Sequence, residues 1–385
     1  MKKLHNMLRT LISCRYDLFF PKKSDVVIWG APRFIKLLRN KKYIPVKKKI
    51  SLIHTWGESI NLSILLKCIL KFRLNLLNYS EEYLKYTKPK IIISFLDNYE
   101  TFYKLKSEKK QKKILIQNAW RSGEQKFFET KDLILKSNVD YILTQNYPIK
   151  KKYQSLCKAN IRPIGSFLSN NSNHKYNKKK FDILYVSTFR NNRKNIIINK
   201  NISLSDYINA ETRLIKNIFK YCKKKNIKFC ILPTNPNKDQ EIEEKIFFNK
   251  LLGKEKNWSL LARKTDDFNY AYDIIDQSKI VVGIDSTLLY ESFGRGTKTI
   301  FFDIRPNNSF LKKRRHFGWP KKFNQEGPFW CSVNNPDRIH KLINKVSSIN
   351  NSNWKKIKLK YEKDLMVTDK GNSILQKIIK KHLIK

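Results

Sequence analysis

The chain reads as an α/β protein of two Rossmann-like halves, each a parallel sheet flanked by helices, and three observations lead there. Its 385 residues suit two domains at roughly 150 residues each. Short apolar runs alternate with longer mixed segments, the pattern of strand followed by helix. Runs such as Ile91-Ile92-Ile93 are apolar without alternation, as in strands covered on both faces of a parallel sheet. A hydrophobic fraction of 41%, with 23 Phe, 18 Tyr and 7 Trp, supplies two cores and speaks against disorder.

In the first half, residues 1–168, strands are expected at Asp25 to Trp29, Ile50 to His54, Lys90 to Phe95, Lys113 to Gln117, Asp140 to Leu143 and Arg162 to Gly165. Residues 169–180 turn to Asn, Ser, His and Lys with almost nothing apolar, the composition of a linker. The second half, 181–348, offers strands at Asp182 to Val186, Lys228 to Leu232, Trp258 to Leu261, Ile280 to Gly283, Thr299 to Phe302 and Phe329 to Val333. Helical periodicity lies between them at Leu204 to Lys224, Lys238 to Leu252, Tyr270 to Gln277 and Leu288 to Gly294. Beyond Asp337 the pattern is helical through Ile339 to Val346 and again Trp354 to Leu383, the latter within a helical tail, 349–385. No repeat of solenoid length is present.

A net charge of +48 points toward an anionic partner. Lys, Asn and Ile are abundant throughout, so a general compositional bias accounts for much of it, and the remainder favours adhesion to acidic headgroups at about 1 kcal/mol per nearby cation. A nucleic-acid partner would require cations and exposed aromatics gathered on one face. The Lys residues are instead spread evenly and the aromatics fall in strand runs, so none is expected. The six cysteines form no C-x-x-C pair and have no His at ligand spacing, which excludes structural zinc. Leu8 to Phe20 is broken by Arg9, Arg15 and Asp17 and reads as no cleavable signal, so a cytoplasmic location is expected. Ile60 to Leu77 is interrupted by Lys67, Lys71 and Arg73, too charged for a membrane span; it reads as a helix packed on the sheet in preference to one lying on a bilayer.

Chemistry concentrates where Ile280-Val281-Val282-Gly283 runs into Asp285-Ser286-Thr287 and a helix. Ligands of open α/β sheets bind at the carboxyl ends of strands, and a helix N-terminus suits phosphate. Ser286 and Thr287 hydroxyls can donate to phosphate oxygens, and Glu291, one turn on, can accept the hydroxyls of a ribose. The same residues also fit a capped helix with Glu291 exposed on its surface. Asp97-Asn98 and Gln117-Asn118 follow two first-half strands and place polar groups where an acceptor would face a cleft. Asp97 is the first candidate for general base and His54 the competitor; an Asx turn and a core histidine are the plain alternatives. Arg190 and Arg193 follow the first strand of the second half and can balance phosphate charge, and Arg121 suits an anionic acceptor or phosphate. There is no phosphate-binding P-loop, no G-x-S-x-G, no H-E-x-x-H and no D-x-D at a strand end, so no metal site is expected.

The segment Asp285-Ser286-x-x-x-x-Glu291, followed by Gly294-Arg295-Gly296 and a strand, resembles the nucleotide-binding segment of GT-B-type glycosyltransferases and the related UDP-N-acetylglucosamine 2-epimerases. The resemblance implies a diphosphate contact at Ser286, a ribose contact at Glu291, and a donor site extending over Gly294 and Arg295. It also implies a loop cation after the first strand of the second half, which Arg190 and Arg193 supply, and terminal helices that brace the first domain. The epimerases carry small Gly residues after the Ser; Thr287 and Leu288 stand here, which weakens that branch. A wider stretch, with Ile92-Ile93-Ser94-Phe95-Leu96-Asp97-Asn98, Ile114 to Arg121 and Ile164 to Asn170, is similar to bacterial surface-carbohydrate (O-antigen) biosynthesis proteins. There Gly commonly follows the Gln-Asn pair, where Ala119 stands here.

The expected function is glycosyl transfer from a nucleotide-sugar, bound in the second half as co-substrate, to a surface glycan or lipid-linked acceptor bound in the first. No other cofactor is expected, and attachment would be peripheral, at the inner face of the plasma membrane. Glycerophosphotransfer, an epimerase-like reaction and a non-catalytic scaffold are the alternatives.

Overall fold

The computed structural model describes residues 14–56, 58–121, 137–172, 178–189, 197–199, 202–234, 238–253, 257–262, 264, 267–304 and 316–383. A pair of short parallel strands, β1 (Arg15–Asp17) and β4 (Ser59–Asn61), stands apart from the first large sheet. That sheet contains β2 (Val26–Trp29), β3 (Ile50–Ile53), β5 (Ile91–Ser94), β6 (Lys112–Ile116), β7 (Tyr141–Thr144) and β8 (Asn160–Pro163) in the order β3-β2-β5-β6-β7-β8. Every pairing is parallel. β2 and β5 are buried at every position, as the unbroken apolar runs require.

The second sheet follows β9 (Phe181–Val186) and an antiparallel pair, β10 (Ile197–Asn199) with β11 (Ile202–Ser203). It adds β12 (Phe229–Leu232), β13 (Trp258–Leu260), β14 (Ser278–Gly283), β15 (Lys298–Phe302) and β16 (Trp330–Cys331), ordered β13-β12-β9-β14-β15-β16 and again wholly parallel. This is the doubly wound strand order of nucleotide-binding sheets. The helices Leu204–Lys224 and Lys238–Leu252 fall where periodicity put them.

The expected helix Trp354 to Leu383 is instead two, Asn351–Tyr361 and Ser373–Leu383. Between them runs a strap in which Asn372 and Gly371 take positive φ. Val367 N–H donates to Gln145 O (3.1 Å), Asp369 N–H donates to Ile164 O (3.2 Å), and Gly165 bridges Thr368. Trp354 joins the second core, whereas Leu375, Ile378, Ile379 and Leu383 lie against Val26, Ile28 and Ile91 of the first. The terminal helix therefore braces the first sheet.

Ile60 to Leu77 is not one helix either. It splits into β4, the helix Leu62–Leu70 and the start of the helix Leu76–Thr87. Only Ile64 and Cys68 of the helix Leu62–Leu70 are buried, so packing on the sheet does not account for its remaining apolar side chains.

Candidate functional site

In each sheet the strand order reverses beside the first strand, and the connections leave in opposite directions there, opening a crevice at the carboxyl ends. In the first sheet the crevice lies between the ends of β2 and β5, at Gly30-Ala31 and Leu96-Asp97. Gly30 holds φ +69, and a Cβ there would stand 2.6 Å from Leu96 Cδ1 and 2.9 Å from Thr55 Oγ1, so three strand ends converge on a position that only glycine fits. In the second sheet it lies between β9 and β14, at Ser187-Thr188 and Ile284-Asp285-Ser286.

Asp285 and Ser286 are half-buried at this second crevice, at the start of the helix Thr287–Arg295. Ser286 is the N-cap residue with extended backbone (φ −67, ψ 139), and its side chain makes no capping bond. The hydroxyl is not used in the cap, and the first-turn N–H groups and the dipole make this end an anion site. Thr287 is engaged from the opposite half: its Oγ1 accepts the Trp120 backbone N–H at 2.9 Å. The Trp120 ring stacks on Tyr290 at 3.6 Å and 11°. The loop after β6 thus closes directly on the helix start.

Further along this helix the expected ligand contacts give way to internal ones. Glu291 is 5% exposed and accepts from Ser166, the N-cap of the short helix Phe167–Asn171 that follows β8. Burial pushes its carboxyl up to about 7, against the hydrogen bonds of Ser166 and Tyr272 and the charges of Arg295 and Arg33. It is neither the exposed surface residue nor the open ribose acceptor that the sequence allowed. Arg295 forks onto Asp276 and donates to Ser169 O (3.0 Å) and Ser172 O (3.3 Å), with the side chains of the ion pair 2% and 3% exposed. In this arrangement its donors are spent inside the protein. Gly294 is also structural: a Cβ there would lie 2.7 Å from Met366 Cγ in the strap.

In the first half, Asp97 is 1% exposed and its two oxygens are clasped by the Arg121 guanidinium, with Nε at 3.0 Å from Oδ2. Asn118 N–H points at Asp97 Oδ1 (3.4 Å), and Asn118 Oδ1 accepts from Arg33 at 3.4 Å. Arg121 is thereby committed to Asp97 and is no open contact for an acceptor anion, and Asp97 is no free base in this arrangement. Gln117, buried, accepts the Gln145 N–H (2.9 Å) and donates to Ala119 O (3.0 Å), which shapes the loop that carries Trp120. Asn98 is exposed. His54 follows the edge strand β3, two strands from Asp97 and so about 10 Å away by strand spacing, with Nδ1 at 3.5 Å from Glu58. Arg190 and Arg193 lie outside the described residues. Among the described residues no group of three or more His, Cys, Asp or Glu is placed to hold a metal ion.

Four residues of the joint went unassigned in the sequence: Arg33, Trp120, Ser166 and Tyr272. Arg33 had a signal in Gly30-Ala31-Pro32-Arg33, a strand-end glycine followed by a helix-starting proline. Tyr272 had none, since a tyrosine within an apolar helix reads as core.

A family model described as "putative O-antigen biosynthesis protein" matches residues 114–383. No curated protein matches the sequence. Among solved structures, the wall teichoic acid polymerase TagF, in a variant soaked with CDPG, superposes with a TM-score of 0.53 at 12% identity, over 100% of this chain and 98% of that one. UDP-GlcNAc 2-epimerase of Methanocaldococcus jannaschii, in complex with UDP-GlcNAc and UDP, superposes with a TM-score of 0.55 at 12% identity, over 92% of this chain and 99% of that one. Both carry the GT-B architecture of two Rossmann-like domains, which is the fold of this chain.

Proposed function

From the premise that the chain belongs to the O-antigen biosynthesis protein family, we propose that it is a glycosyltransferase that moves a sugar from a nucleotide-sugar onto a surface glycan or its lipid-linked precursor. The observation that carries this reading is the convergence of both strand-end crevices, with the Trp120 loop of one half seated on the Thr287 helix start of the other. In the proposed complex the donor occupies residues 181–348 and the acceptor residues 1–168. Ser286 and the first-turn N–H groups hold the diphosphate, and the Thr287 hydroxyl, which accepts from Trp120 N–H, donates its own proton to a phosphate oxygen. Opening that contact admits the donor, and its re-closure excludes water and aligns the acceptor hydroxyl with the anomeric carbon. Asp97, freed from Arg121 as the latter turns to the anionic substrate, takes the hydroxyl proton; His54 serves if Asp97 stays paired. Cationic loop residues, with Arg190 and Arg193 foremost, offset the charge of the leaving diphosphate without a metal. The reaction faces the cytoplasm; no helix among the described residues is long and apolar enough to cross a membrane.

A thermal-shift and calorimetric titration with UDP, CDP, GDP, CMP and their sugar conjugates tests the donor site. One nucleotide is expected to stabilise the wild type, with about tenfold weaker binding to Ser286→Ala, the loss of one charge-assisted hydrogen bond. A folded sample that responds to none of them would leave the scaffold reading in its place. Alcohol-phosphate transfer is the second reading, favoured by the end-to-end superposition on TagF. Phosphorus retained in the product linkage would select it. Interconversion of a free UDP-sugar without acceptor would select the epimerase branch.

A further inference from the structure

Half of the large apolar side chains left in solvent among the described residues come from two short stretches. Leu18, Phe19 and Phe20 are 64%, 86% and 44% exposed, and Leu66, Ile69, Leu70, Phe72 and Leu74 are 57%, 43%, 78%, 97% and 63% exposed. The fold places the stretches side by side. β1 pairs with β4, Ser63 Oγ donates to Leu18 O, Asn61 Nδ2 donates to Phe19 O (2.6 Å), and the Lys67 ammonium lies 5.2 Å over the Phe20 ring. The helix Leu62–Leu70 turns Ile64 and Cys68 inward and leaves Leu66, Ile69 and Leu70 outside, so it is apolar on both faces. A surface helix of a soluble protein normally has one such face. Phe72, a bulky residue at φ +54, is held in the left-handed region with its ring almost wholly in solvent, a strained conformation for an aromatic side chain.

Cations outnumber carboxylates around this face. No acidic residue occurs between Glu58 and Glu81, while Lys67, Lys71 and Arg73 stand among the apolar positions and Lys22 and Lys23 follow Phe20. The nearby carboxylates are occupied: Asp17 accepts from Ser59 (3.2 Å), Glu58 from the Trp56 N–H (3.2 Å), and Glu82 from both Lys71 and Lys85 (2.8 Å each). Exposed apolar patches of this kind mark interaction sites, and apolar side chains interleaved with cations match the acyl boundary and headgroups of an acidic bilayer. Two copies meeting through this face would bring its excess of cations together, which disfavours self-association.

We infer that the face formed by Leu18–Phe20 and Leu66–Leu74, with its Lys and Arg rim, docks the protein on a membrane surface rich in anionic lipid. The inference rests on the surface itself and stands whether or not the transfer reading does; if both hold, the first crevice is presented to a lipid-linked acceptor at the bilayer.

Vesicle co-sedimentation of the full chain on phosphatidylcholine, with and without phosphatidylglycerol, tests it. The wild type is expected to bind the anionic vesicles and not the neutral ones. The triple variant Phe19→Ser, Leu70→Ser, Phe72→Asn changes only exposed positions, and its binding should fall at least tenfold with an unchanged melting temperature. The pair Lys22→Glu, Lys23→Glu should weaken binding by at least about fivefold for each cation removed. Absence of binding to anionic vesicles, equal binding to neutral ones, or undiminished binding by the triple variant would overturn the inference. So would wild-type self-association in sedimentation that the triple variant abolishes, which would assign the face to a second copy. Nucleotide titration of the triple variant keeps the two readings apart: its donor response should equal that of the wild type.

Discussion

Asp97 and Glu291 sit at the two strand-end regions of one joint, both almost fully buried, and their surroundings treat them in opposite ways. Asp97 faces a guanidinium that matches its two oxygens. Glu291 is met by the hydroxyls of Ser166 and Tyr272, with its cations acting only at range. A fork of N–H donors compensates a buried negative charge, whereas hydroxyls compensate it in part and leave the proton bound near neutrality. The residue type said that each position could carry a charge; the neighbour decides whether it does.

The comparison breaks most sharply if the pairing partner is removed. Arg121→Met leaves Asp97 buried without its cation and should cost about 3–5 kcal/mol in denaturant unfolding; a loss below about 1 kcal/mol would mean that other donors already satisfy Asp97. A smaller effect tests the other carboxyl. The folded-state value of Glu291 is raised from an ordinary 4.5 to about 7, so the stability it lends is complete below pH 4.5 and is lost as the pH rises through about 7. Glu291→Gln should remove a slope worth roughly 2–3 kcal/mol across that window; chemical-denaturation curves at several pH values would show it, and an unchanged slope would place the titration elsewhere. The smallest effect sharpens the contact between the halves. Thr287→Val removes the acceptor of the Trp120 N–H and should cost about 1–2 kcal/mol, read as a lower unfolding midpoint; an unaltered midpoint would show that the Trp120–Tyr290 stack suffices to close the joint.

Much of the fold was legible because periodicity and turn chemistry agree. The runs at β2, β5, β9 and β14 are buried strands, and the helices Leu204–Lys224 and Lys238–Leu252 begin and end as read. Ile60 to Leu77 was misread since apolar content cannot reveal that half of it faces outward. The expectation that aromatics fall in strand runs fails in the same region, where Phe19, Trp56 and Phe72 are exposed. At the site, position was legible and commitment was not. Asp285, Ser286 and Asp97 lie at strand ends as the apolar runs required, but the claims of Arg121 on Asp97, Ser166 on Glu291 and Asp276 on Arg295 span 24, 125 and 19 residues. No local pattern encodes such partners.

The strap and the helix Ser373–Leu383 also govern how the protein is made. Leu375, Ile378, Ile379 and Leu383 cover Val26, Ile28 and Ile91, so the first sheet, although synthesised first, keeps one flank of its core uncovered until translation has passed residue 383. The second sheet draws its core from residues 120–366 and can consolidate sooner. The half that emerges first thus matures last, and until it does its bare apolar flank is the part of the nascent chain in most need of a chaperone.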